Sequence, residues 1–374
     1  MSRQVVVLRG RAANPWDLRP WEQLGANYRV EALVPANNDY DTSLLELDRV
    51  PVHTLSGRLP GGRAGALAVR ALGERYLGLE ERLAGADVVH AAELGYWFSW
   101  QAARLRDKLG FKLVLTVWET LPLLDAYRNV RTRRYRRDVL AATDLFMATT
   151  DRARDALLLE GAPPERVVVS APGIDVDRFA AARTPAPPEG GGHLVLSVGR
   201  LVWEKGHQDL LRALAELRRA GRRDVRAVIV GKGPEEKRLR SYASDLGLDG
   251  VVEFAGGVPY EQMASYYAQA SCLVLASIPV RYWEEQFGMV LIEAMAAHLP
   301  IVAAGSGAIP EVVGGSGTLF SPGDWRGLAD VLADGPLAGE PAARRAPEPE
   351  RLQGFSSTAA AARLASAYAS LLEA

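Results

Sequence analysis

The chain has 374 residues, more than one typical core holds, so its length favours two domains. A hydrophobic content of 48% and a charged content of 24% are those of an ordinary soluble globular protein. The formal net charge of −1 argues against a global nucleic-acid or membrane binder, and the single cysteine, Cys272, excludes an intramolecular disulfide and favours a reducing cytoplasm.

Short β-branched runs alternate with helical patterns through the first half. No segment has the roughly 18–20 consecutive apolar residues of a spanning helix, and the N-terminus is too weakly apolar for a secretory signal. The helical stretches lie at 97–110 and 150–161. The predicted strands are 4–10, 28–34, 86–92, 111–117, 144–150 and 166–172. Apolar strands separated by helices indicate a parallel sheet covered on both faces.

A second alternating set follows a Pro- and Gly-rich stretch at 182–192. The predicted strands are 193–199, 225–231, 251–256, 271–277, 300–305 and 317–320. The predicted helices are 206–220, 234–246, 260–269, 288–298 and, after a Pro-rich loop, about 356–373. We therefore predict two doubly wound, Rossmann-like α/β domains: residues 1–185, a linker at 186–192, and residues 193–350.

Two basic residues follow the strand that ends at Gly199. In "SVGRLVWEKG", Arg200 and Lys205 flank a short loop before a helix. Ligands of open α/β sheets bind outside the carboxyl ends of the strands, and these cations suit a pyrophosphate, Arg200 by bidentate geometry and Lys205 as a point charge. A solvated pair of surface cations is the alternative.

The stretch "EEQFGMVLIEAM" places two glutamates around the start of a helix. The free N–H groups near Gly288, Met289 and Val290 predict an anion site, with the neighbouring Phe287 among the donor-binding candidates. Glu285 precedes this helix and Glu293 lies inside it, so carboxylates on either side of the anion can bind sugar hydroxyls. This arrangement fits a nucleotide-sugar, whereas a dipole-complementing glutamate plus a surface glutamate is the alternative.

Glycines end another strand in "VIVGKGPEEKRL", where Gly231 and Gly233 form a turn that could admit a base or ribose edge. Read as a dinucleotide fingerprint this turn fails, because Glu236 stands in the place of the third glycine. The stretch "AAGSGAIPEVVG" fails as well, with Pro310 in that place. These failures make a two-domain NAD enzyme a distant alternative.

These motifs, in this order, resemble the donor domain of retaining GT-B glycosyltransferases, particularly the glycosyltransferase family 4 group. The similarity covers roughly residues 165–325 and includes the Glu-x7-Glu pair, the Pro310–Glu311 loop and "SAPGIDVDRF". It implies two Rossmann-like domains facing a central cleft, with the last helix (about 356–374) packing back on the first domain. By that resemblance Arg200 and Lys205 hold the donor diphosphate, Glu293 the ribose hydroxyls and Glu285 the transferred sugar.

The first half departs from the family pattern. The first strand leads into "LRGRAANPW" with only Gly10 where the family has a Gly-rich loop, and Trp118, Glu119 and Thr120 stand where the family often has a histidine. Glu119 could orient an acceptor hydroxyl or take its proton, or could anchor its own loop. His90, at a strand end, is a second catalytic candidate with a structural alternative.

Arginines cluster between Arg128 and Arg137. This patch could give weak peripheral contact with anionic lipid at the inner membrane face or bind a phosphorylated acceptor, and a solvated helix face is the alternative reading.

We thus expect a cytoplasmic, retaining, metal-independent hexosyltransferase. Its donor would be a UDP-, GDP- or ADP-sugar, bound as substrate without a further cofactor. The acceptor would be a sugar, lipid-linked or small-molecule hydroxyl, and no nucleic acid is expected. A catalytically silent nucleotide-sugar-binding subunit, and an epimerase or phosphorylase of the same architecture, remain alternatives. The sequence does not identify the sugar, base, acceptor, catalytic base or oligomeric state.

Overall fold

The computed structural model describes residues 2–124, 130–186 and 191–373. The chain divides into a first unit, Met1–Ile174 with Ser356–Ala374, and a second unit, Asp175–Phe355. Residues 175–185, which the sequence pattern assigned to the first domain, group with the second unit. Phe179 explains this, because its side chain is fully buried with its ring 5.3 Å from that of Tyr267 and 6.0 Å from that of Tyr260.

The first unit contains an eight-stranded sheet in the order β4-β3-β2-β1-β5-β6-β7-β8, parallel throughout except between β3 and β4. Its strands are β1 (Arg3–Leu8), β2 (Tyr28–Pro35), β3 (Asp48–Thr54), β4 (Tyr76–Leu77), β5 (Val88–Ala92), β6 (Lys112–Val117), β7 (Leu145–Ala148) and β8 (Val167–Val169). Its helices before residue 174 are α1 (Pro15–Glu22), α2 (Leu55–Arg58), α3 (Arg63–Leu72), α4 (Leu79–Leu83), α5 (Trp97–Leu109), α6 (Val130–Ala142) and α7 (Asp151–Leu159).

Alternate residues of β1 enter two different cores. Val6 and Leu8 belong to one buried cluster, and Val5 and Val7 belong to another on the opposite face. Because successive strand residues point to opposite faces, a continuous apolar run requires cover on both sides. The predicted doubly wound arrangement is confirmed, whereas β3 and β4 were not predicted.

The second unit contains a six-stranded parallel sheet in the order β11-β10-β9-β12-β13-β14. Its strands are β9 (His193–Val198), β10 (Val225–Val230), β11 (Val252–Gly256), β12 (Cys272–Leu275), β13 (Ile301–Ala304) and β14 (Thr318–Phe320). Its helices are α8 (His207–Arg219), α9 (Glu236–Asp245), α10 (Met263–Gln269), α11 (Met289–Ala296), α12 (Ile309–Val313), α13 (Trp325–Asp334) and α14 (Pro349–Gly354). Each strand predicted here is present within about two residues of its predicted bounds.

The last helix, α15 (Ser357–Glu373), belongs to the first unit and packs beside α1. Tyr368 is fully buried, its hydroxyl accepts from Trp21 Nε1 at 3.0 Å, and Leu364 lies in the same core. Val5 and Val7 of β1 also belong to that core. The aromatic side chains of α1 and α15 thus join the two ends of the chain over one face of the first sheet.

Candidate functional site

The candidate site of the second unit lies where the strand order reverses. From β9 the chain proceeds to β10 and β11 on one side, and β12 then pairs on the other side of β9. The carboxyl ends of β9 and β12 therefore form a topological switch point, the usual place for a ligand in an open α/β sheet. Lys205 follows β9 and Glu285 follows β12.

Lys205 and Glu285 form an ion pair at this switch point. Lys205 Nζ lies 2.6 Å from Glu285 Oε2, and both side chains are largely buried. Ser277 donates its hydroxyl to the same oxygen at 2.6 Å, and the Lys205 ammonium lies 5.0 Å from the ring centroid of Trp283. An ammonium has three N–H donors, so Lys205 can hold Glu285 and still bind an anion.

Arg200 differs from Lys205 in being exposed. Its side chain is 63% exposed and its nearest carboxylate, that of Glu204, lies 3.9 Å away. The loop carrying it is fixed from below by His207, whose ring nitrogens contact Ser197 Oγ at 3.1 Å and the Arg200 carbonyl at 3.2 Å. Burial lowers the pKa of His207 to about 4, so this side chain is neutral near pH 7. The loop is rigid at its base and its arginine is available to a ligand.

Close backbone contacts explain several glycines of this region. A Cβ on Gly206 would lie 1.8 Å from the Ala276 carbonyl oxygen, and one on Gly231 would lie 1.8 Å from the Gly199 oxygen. A Cβ on Gly233 would approach the Leu201 oxygen at 2.2 Å. Gly231 and Gly233, predicted to admit a base or ribose edge, therefore bring the turn after β10 against the loop 199–201.

Gly288 begins α11 in the left-handed conformation, with φ of 82°. In the described part of the chain, the N–H groups of Met289 and Val290 meet no backbone acceptor. They are the groups that the sequence pattern assigned to an anion. Phe287 differs, because its buried ring packs on Phe355 with centroids 5.8 Å apart, so its side chain belongs to the core rather than to a ligand surface.

Glu293 points to different neighbours from those of Glu285. It is only 6% exposed, and Tyr267 donates to its Oε2 at 2.7 Å. Burial raises the pKa of Glu293, while hydrogen bonds from Tyr267 and Tyr260 oppose this rise. The structure thus places the predicted hydroxyl-binding carboxylate beneath two tyrosines that sequence reasoning missed, because aromatic residues in a helical pattern resemble ordinary core.

His90 of the first unit occupies a buried network. Its side chain is fully buried, its Nδ1 lies 2.5 Å from the Tyr368 hydroxyl and its Nε2 lies 2.7 Å from Thr116 Oγ1. Burial, and to a smaller extent the positive charge of Arg9, holds the pKa of His90 well below its usual range. Both ring nitrogens are engaged, so the structure favours the structural alternative for His90 over the catalytic one.

Glu119 bonds within its own loop. Its Oε1 accepts from the backbone N–H groups of Thr120 and Leu121, each at 2.9 Å. The neighbouring loop is tied by Glu93, which has φ of 60° and whose Oε1 accepts from the Trp118 N–H at 2.7 Å. These contacts favour the loop-anchor reading of Glu119.

The arginine patch is largely engaged within the protein. Arg136 is buried in an ion pair with Glu160, and Arg131 donates to the carbonyls of Arg70 and Ala71 at the end of α3. Arg137 pairs with Asp138 at 3.1 Å. Arg128 lies outside the described residues. The patch therefore has fewer available cations than its sequence suggests.

Membrane-spanning helices and metal-binding clusters are both absent from the described part of the chain. Over the ranges 2–124, 130–186 and 191–373, no helix is both long and apolar enough to cross a bilayer. Within the same ranges, no group of three or more His, Cys, Asp and Glu side chains is arranged to hold a metal ion.

Two family models match this chain. The model described as "Glycosyl transferases group 1" matches residues 180–336, and the model "Glycosyltransferase Family 4" matches residues 22–178. Together they span most of both units, and the first of them includes the whole candidate site.

Curated relatives share about a third of their aligned residues with this chain. A D-inositol 3-phosphate glycosyltransferase 2 of Catenulispora acidiphila is 37% identical over 244 residues, 60% of this chain and 56% of the relative. A GDP-mannose-dependent alpha-(1-6)-phosphatidylinositol monomannoside mannosyltransferase of Mycolicibacterium smegmatis is 37% identical over 181 residues, 44% of this chain and 46% of the relative. The chain spans about half of the length of these relatives.

Solved structures share the fold of the whole chain. Anabaena HepE in complex with UDP superimposes with a TM-score of 0.73 at 19% identity, covering 98% of this chain and all of that one. A sucrose-phosphate synthase of Thermosynechococcus elongatus gives a TM-score of 0.74 at 21% identity, covering 99% of each chain. At this identity the similarity shows the fold alone.

Proposed function

The chain belongs to the group 1 glycosyltransferases of the GT-B fold, and on this premise we propose that it transfers a hexosyl unit from a nucleotide diphosphate sugar to a hydroxyl acceptor. The observation that carries the proposal is the Lys205–Glu285 pair at the switch point between β9 and β12. A cation and a carboxylate held 2.6 Å apart offer one group to a diphosphate and one to the sugar attached to it.

The leaving diphosphate is the group that needs stabilisation. When the bond from the sugar C1 to the diphosphate oxygen breaks, negative charge grows on the diphosphate and positive charge on the sugar. Arg200, Lys205 and the free N–H groups at the start of α11 would stabilise that negative charge, and preorganised groups of this kind usually contribute most to catalysis. Glu285 would accept hydrogen bonds from the sugar hydroxyls, and Glu293, oriented by Tyr267 and Tyr260, would bind the ribose hydroxyls.

Retention of configuration is proposed from the family resemblance. In a front-face reaction the acceptor oxygen forms its bond to C1 on the side from which the diphosphate leaves, and the acceptor proton passes to a diphosphate oxygen. No separate nucleophile or metal is part of this proposal. NMR of the product anomer tests retention, and activity after dialysis against a chelator tests metal independence.

The donor and acceptor are proposed within stated classes. HepE was solved with UDP and with UDP-glucose, and one relative is named as GDP-mannose-dependent. UDP-glucose and GDP-mannose are therefore the first donors to test, followed by ADP-glucose. Inositol phosphate is the first acceptor to test, because it appears in the names of several relatives, and lipid-linked and free sugars follow. The protein is proposed to act in the cytoplasm.

Peripheral contact with an anionic membrane is better supported at α3 than at Arg128–Arg137. Leu67 and Leu72 on α3 are 64% and 61% exposed, and Arg63 and Arg70 are exposed on the same helix. An exposed helix with apolar and basic residues suits the boundary between headgroups and acyl chains. We place the proposed membrane contact there.

A catalytically silent binding subunit is the second candidate. It is favoured by the first unit, where a Cβ on Gly10 would lie 2.8 Å from the Phe98 ring and where Arg9 is buried against Asp17 at 2.6 Å. Side chains thus fill the place of the Gly-rich loop of the family. An epimerase or phosphorylase of the same fold is a third candidate, and phosphate-dependent product formation would identify a phosphorylase.

Thermal unfolding with a panel of UDP-, GDP- and ADP-sugars tests the proposed function. A ligand that binds only the folded state adds about 2.7 kcal/mol at a concentration of 100 times its Kd. We expect one nucleotide class to stabilise the protein and to release its nucleoside diphosphate when acceptor is added. Stoichiometric binding without release of nucleoside diphosphate would favour the silent subunit. Failure of every nucleotide sugar to bind would overturn both the transferase and the silent-subunit proposals.

A further inference from the structure

We propose that Ser277 is a positioning residue that orients Glu285 toward the sugar portion of the donor. Its effect would therefore fall on binding of the sugar and not on binding of the nucleoside diphosphate. The inference rests on the proposed function, because it assigns a role relative to a nucleotide sugar.

The contacts of Glu285 give each carboxylate oxygen a separate role. Oε2 accepts from Ser277 Oγ at 2.6 Å and from Lys205 Nζ at 2.6 Å. Within the described ranges, Oε1 has no hydrogen-bond partner, and it is not among the buried unsatisfied atoms. Oε2 is thus fixed by the protein, while Oε1 is the oxygen left for a ligand hydroxyl.

Ser277 is suited to holding this carboxylate because it is itself immobile. It is fully buried and stands two residues beyond the end of β12, whose residues Cys272–Leu275 are all buried in the centre of the sheet. A hydroxyl on this rigid strand end approaches Oε2 from a direction different from that of the flexible Lys205 stem. Two donors to Oε2, one just beyond the end of β12 and one in the loop after β9, restrict rotation of the carboxylate more than one donor would.

The Ser277 hydroxyl also leaves more of the Lys205 ammonium free to bind a ligand. With Ser277 in place, Glu285 needs only one of the three ammonium protons, and the others remain for the diphosphate. Without the hydroxyl, Lys205 becomes the only hydrogen-bond donor that the described residues give to this buried carboxylate. The carboxylate can then turn about that single contact, and Oε1 loses its fixed direction toward the sugar.

Ser271 offers a matched control at the other end of the same strand. It precedes β12, is 2% exposed, and its Oγ accepts from the Leu194 N–H at 3.1 Å. Ser271→Ala removes a buried hydroxyl from the same strand without touching Lys205 or Glu285. Ser277→Cys is a second test variant, because it keeps a single heavy atom at the γ position and has only a weak donor.

Calorimetric titration of the full chain tests the inference. The ligands are UDP and UDP-glucose, or GDP and GDP-mannose if that pair binds the wild type. For Ser277→Ala we expect the Kd of the nucleotide sugar to rise about tenfold and the Kd of the nucleoside diphosphate to change less than twofold. Ser277→Cys should show the same selective loss to a smaller extent, and Ser271→Ala should leave the ratio of the two constants unchanged.

Equal weakening of both ligands by the Ser277 variants, or no weakening, would overturn the role of Ser277 and leave the proposed function standing. If Ser277→Ala does not fold, the ratio of the Kd for the nucleotide sugar to the Kd for the nucleoside diphosphate in Ser277→Cys decides whether Ser277 has this role. A wild-type protein that binds no nucleoside diphosphate and no nucleotide sugar would instead overturn the proposed function, and the inference with it.

Discussion

At the scale of the residue, Arg200 and Lys205 in the loop after β9 differ in exposure and should respond differently to truncation. Arg200→Ala removes an exposed side chain, so we expect turnover to fall by about 100-fold or more while the free energy of unfolding is unchanged. Lys205→Ala should also lower turnover by about 100-fold or more, but it leaves Glu285 buried without its cation, at a cost of about 3 kcal/mol in stability.

Release of nucleoside diphosphate and urea unfolding measure the two effects of these variants. Lys108→Ala is the control, because Lys108 forms an exposed ion pair with Glu80 in the first unit. Its activity should equal that of the wild type. Normal turnover in Arg200→Ala would show that the exposed guanidinium has no part in donor chemistry.

Glu293 should make stability depend on pH. Burial raises its pKa above the ordinary value of 4.5, so between these two values the folded state binds more protons than the unfolded state. The free energy of unfolding should therefore fall as pH rises from 4.5 toward the raised pKa, with a slope of up to about 1.4 kcal/mol per pH unit. Glu293→Gln should remove this dependence.

Urea unfolding between about pH 4 and pH 8 tests this prediction. Glu253→Gln is the matched control, since Glu253 is exposed on β11 and should leave the pH dependence as in the wild type. Identical pH profiles for Glu293→Gln and the wild type would contradict the assignment of a raised pKa to Glu293.

At the scale of the element, the turn before α8 depends on a glycine with no room for a side chain. Gly206 has φ of 69°, and a Cβ there would lie 1.8 Å from the Ala276 oxygen. Gly247 has nearly the same φ, 68°, but a Cβ there would have no atom within 4 Å. Gly247→Ala should therefore cost only the conformational penalty of about 1 kcal/mol, whereas Gly206→Ala should cost more and displace the loop carrying Lys205.

Chemical denaturation and donor titration separate these two glycine variants. We expect Gly206→Ala to weaken nucleoside diphosphate binding at least tenfold, and Gly247→Ala to leave it unchanged. Equal losses of stability in the two variants would show that the contact with Ala276 does not constrain the loop.

The buried hydroxyl of Tyr368 contributes to the attachment of α15. Tyr368→Phe leaves Trp21 Nε1 and His90 Nδ1 without their partner, so we expect a loss of about 1 to 3 kcal/mol. Tyr28→Phe is the control, because its half-buried hydroxyl donates to the Ala365 carbonyl at 3.1 Å and water can replace this bond. Urea unfolding measures both, and equal effects would argue against the buried network as the anchor.

At the scale of the whole molecule, the proposed membrane contact distinguishes α3 from the arginine patch. Replacing both Leu67 and Leu72 by serine should weaken binding to phosphatidylglycerol vesicles about 100-fold or more, since each leucine buried in the membrane contributes about 1.5 to 3 kcal/mol. Leu159→Ser removes another exposed leucine, on α7, and should have no effect. If the double variant Arg133→Ala/Arg137→Ala lost vesicle binding and the α3 variant did not, the arginine patch and not α3 would be the membrane contact.

The elements of both sheets could be predicted because their signals are local. β1 and β9 are short apolar runs that need cover on both faces, and α8 and α11 follow strand ends with glycines at their starts. The same locality made the donor-binding segments visible, since residues after the carboxyl ends of strands in a doubly wound sheet are the ones near a ligand. The short strands β3 and β4 lack a continuous apolar run and were missed.

The sequence alone determined the architecture, the family resemblance and the segments that carry Arg200, Lys205, Glu285 and Glu293. Only the tertiary structure decided which partners those side chains have. His90 and Tyr368 are 278 residues apart in sequence and yet form a hydrogen bond. Ser277 stands at the end of a predicted core strand in the sequence, and only the structure shows that its hydroxyl bonds to Glu285. Burial and hydrogen bonding depend on groups that folding brings together from distant segments, and no local pattern of residues records them.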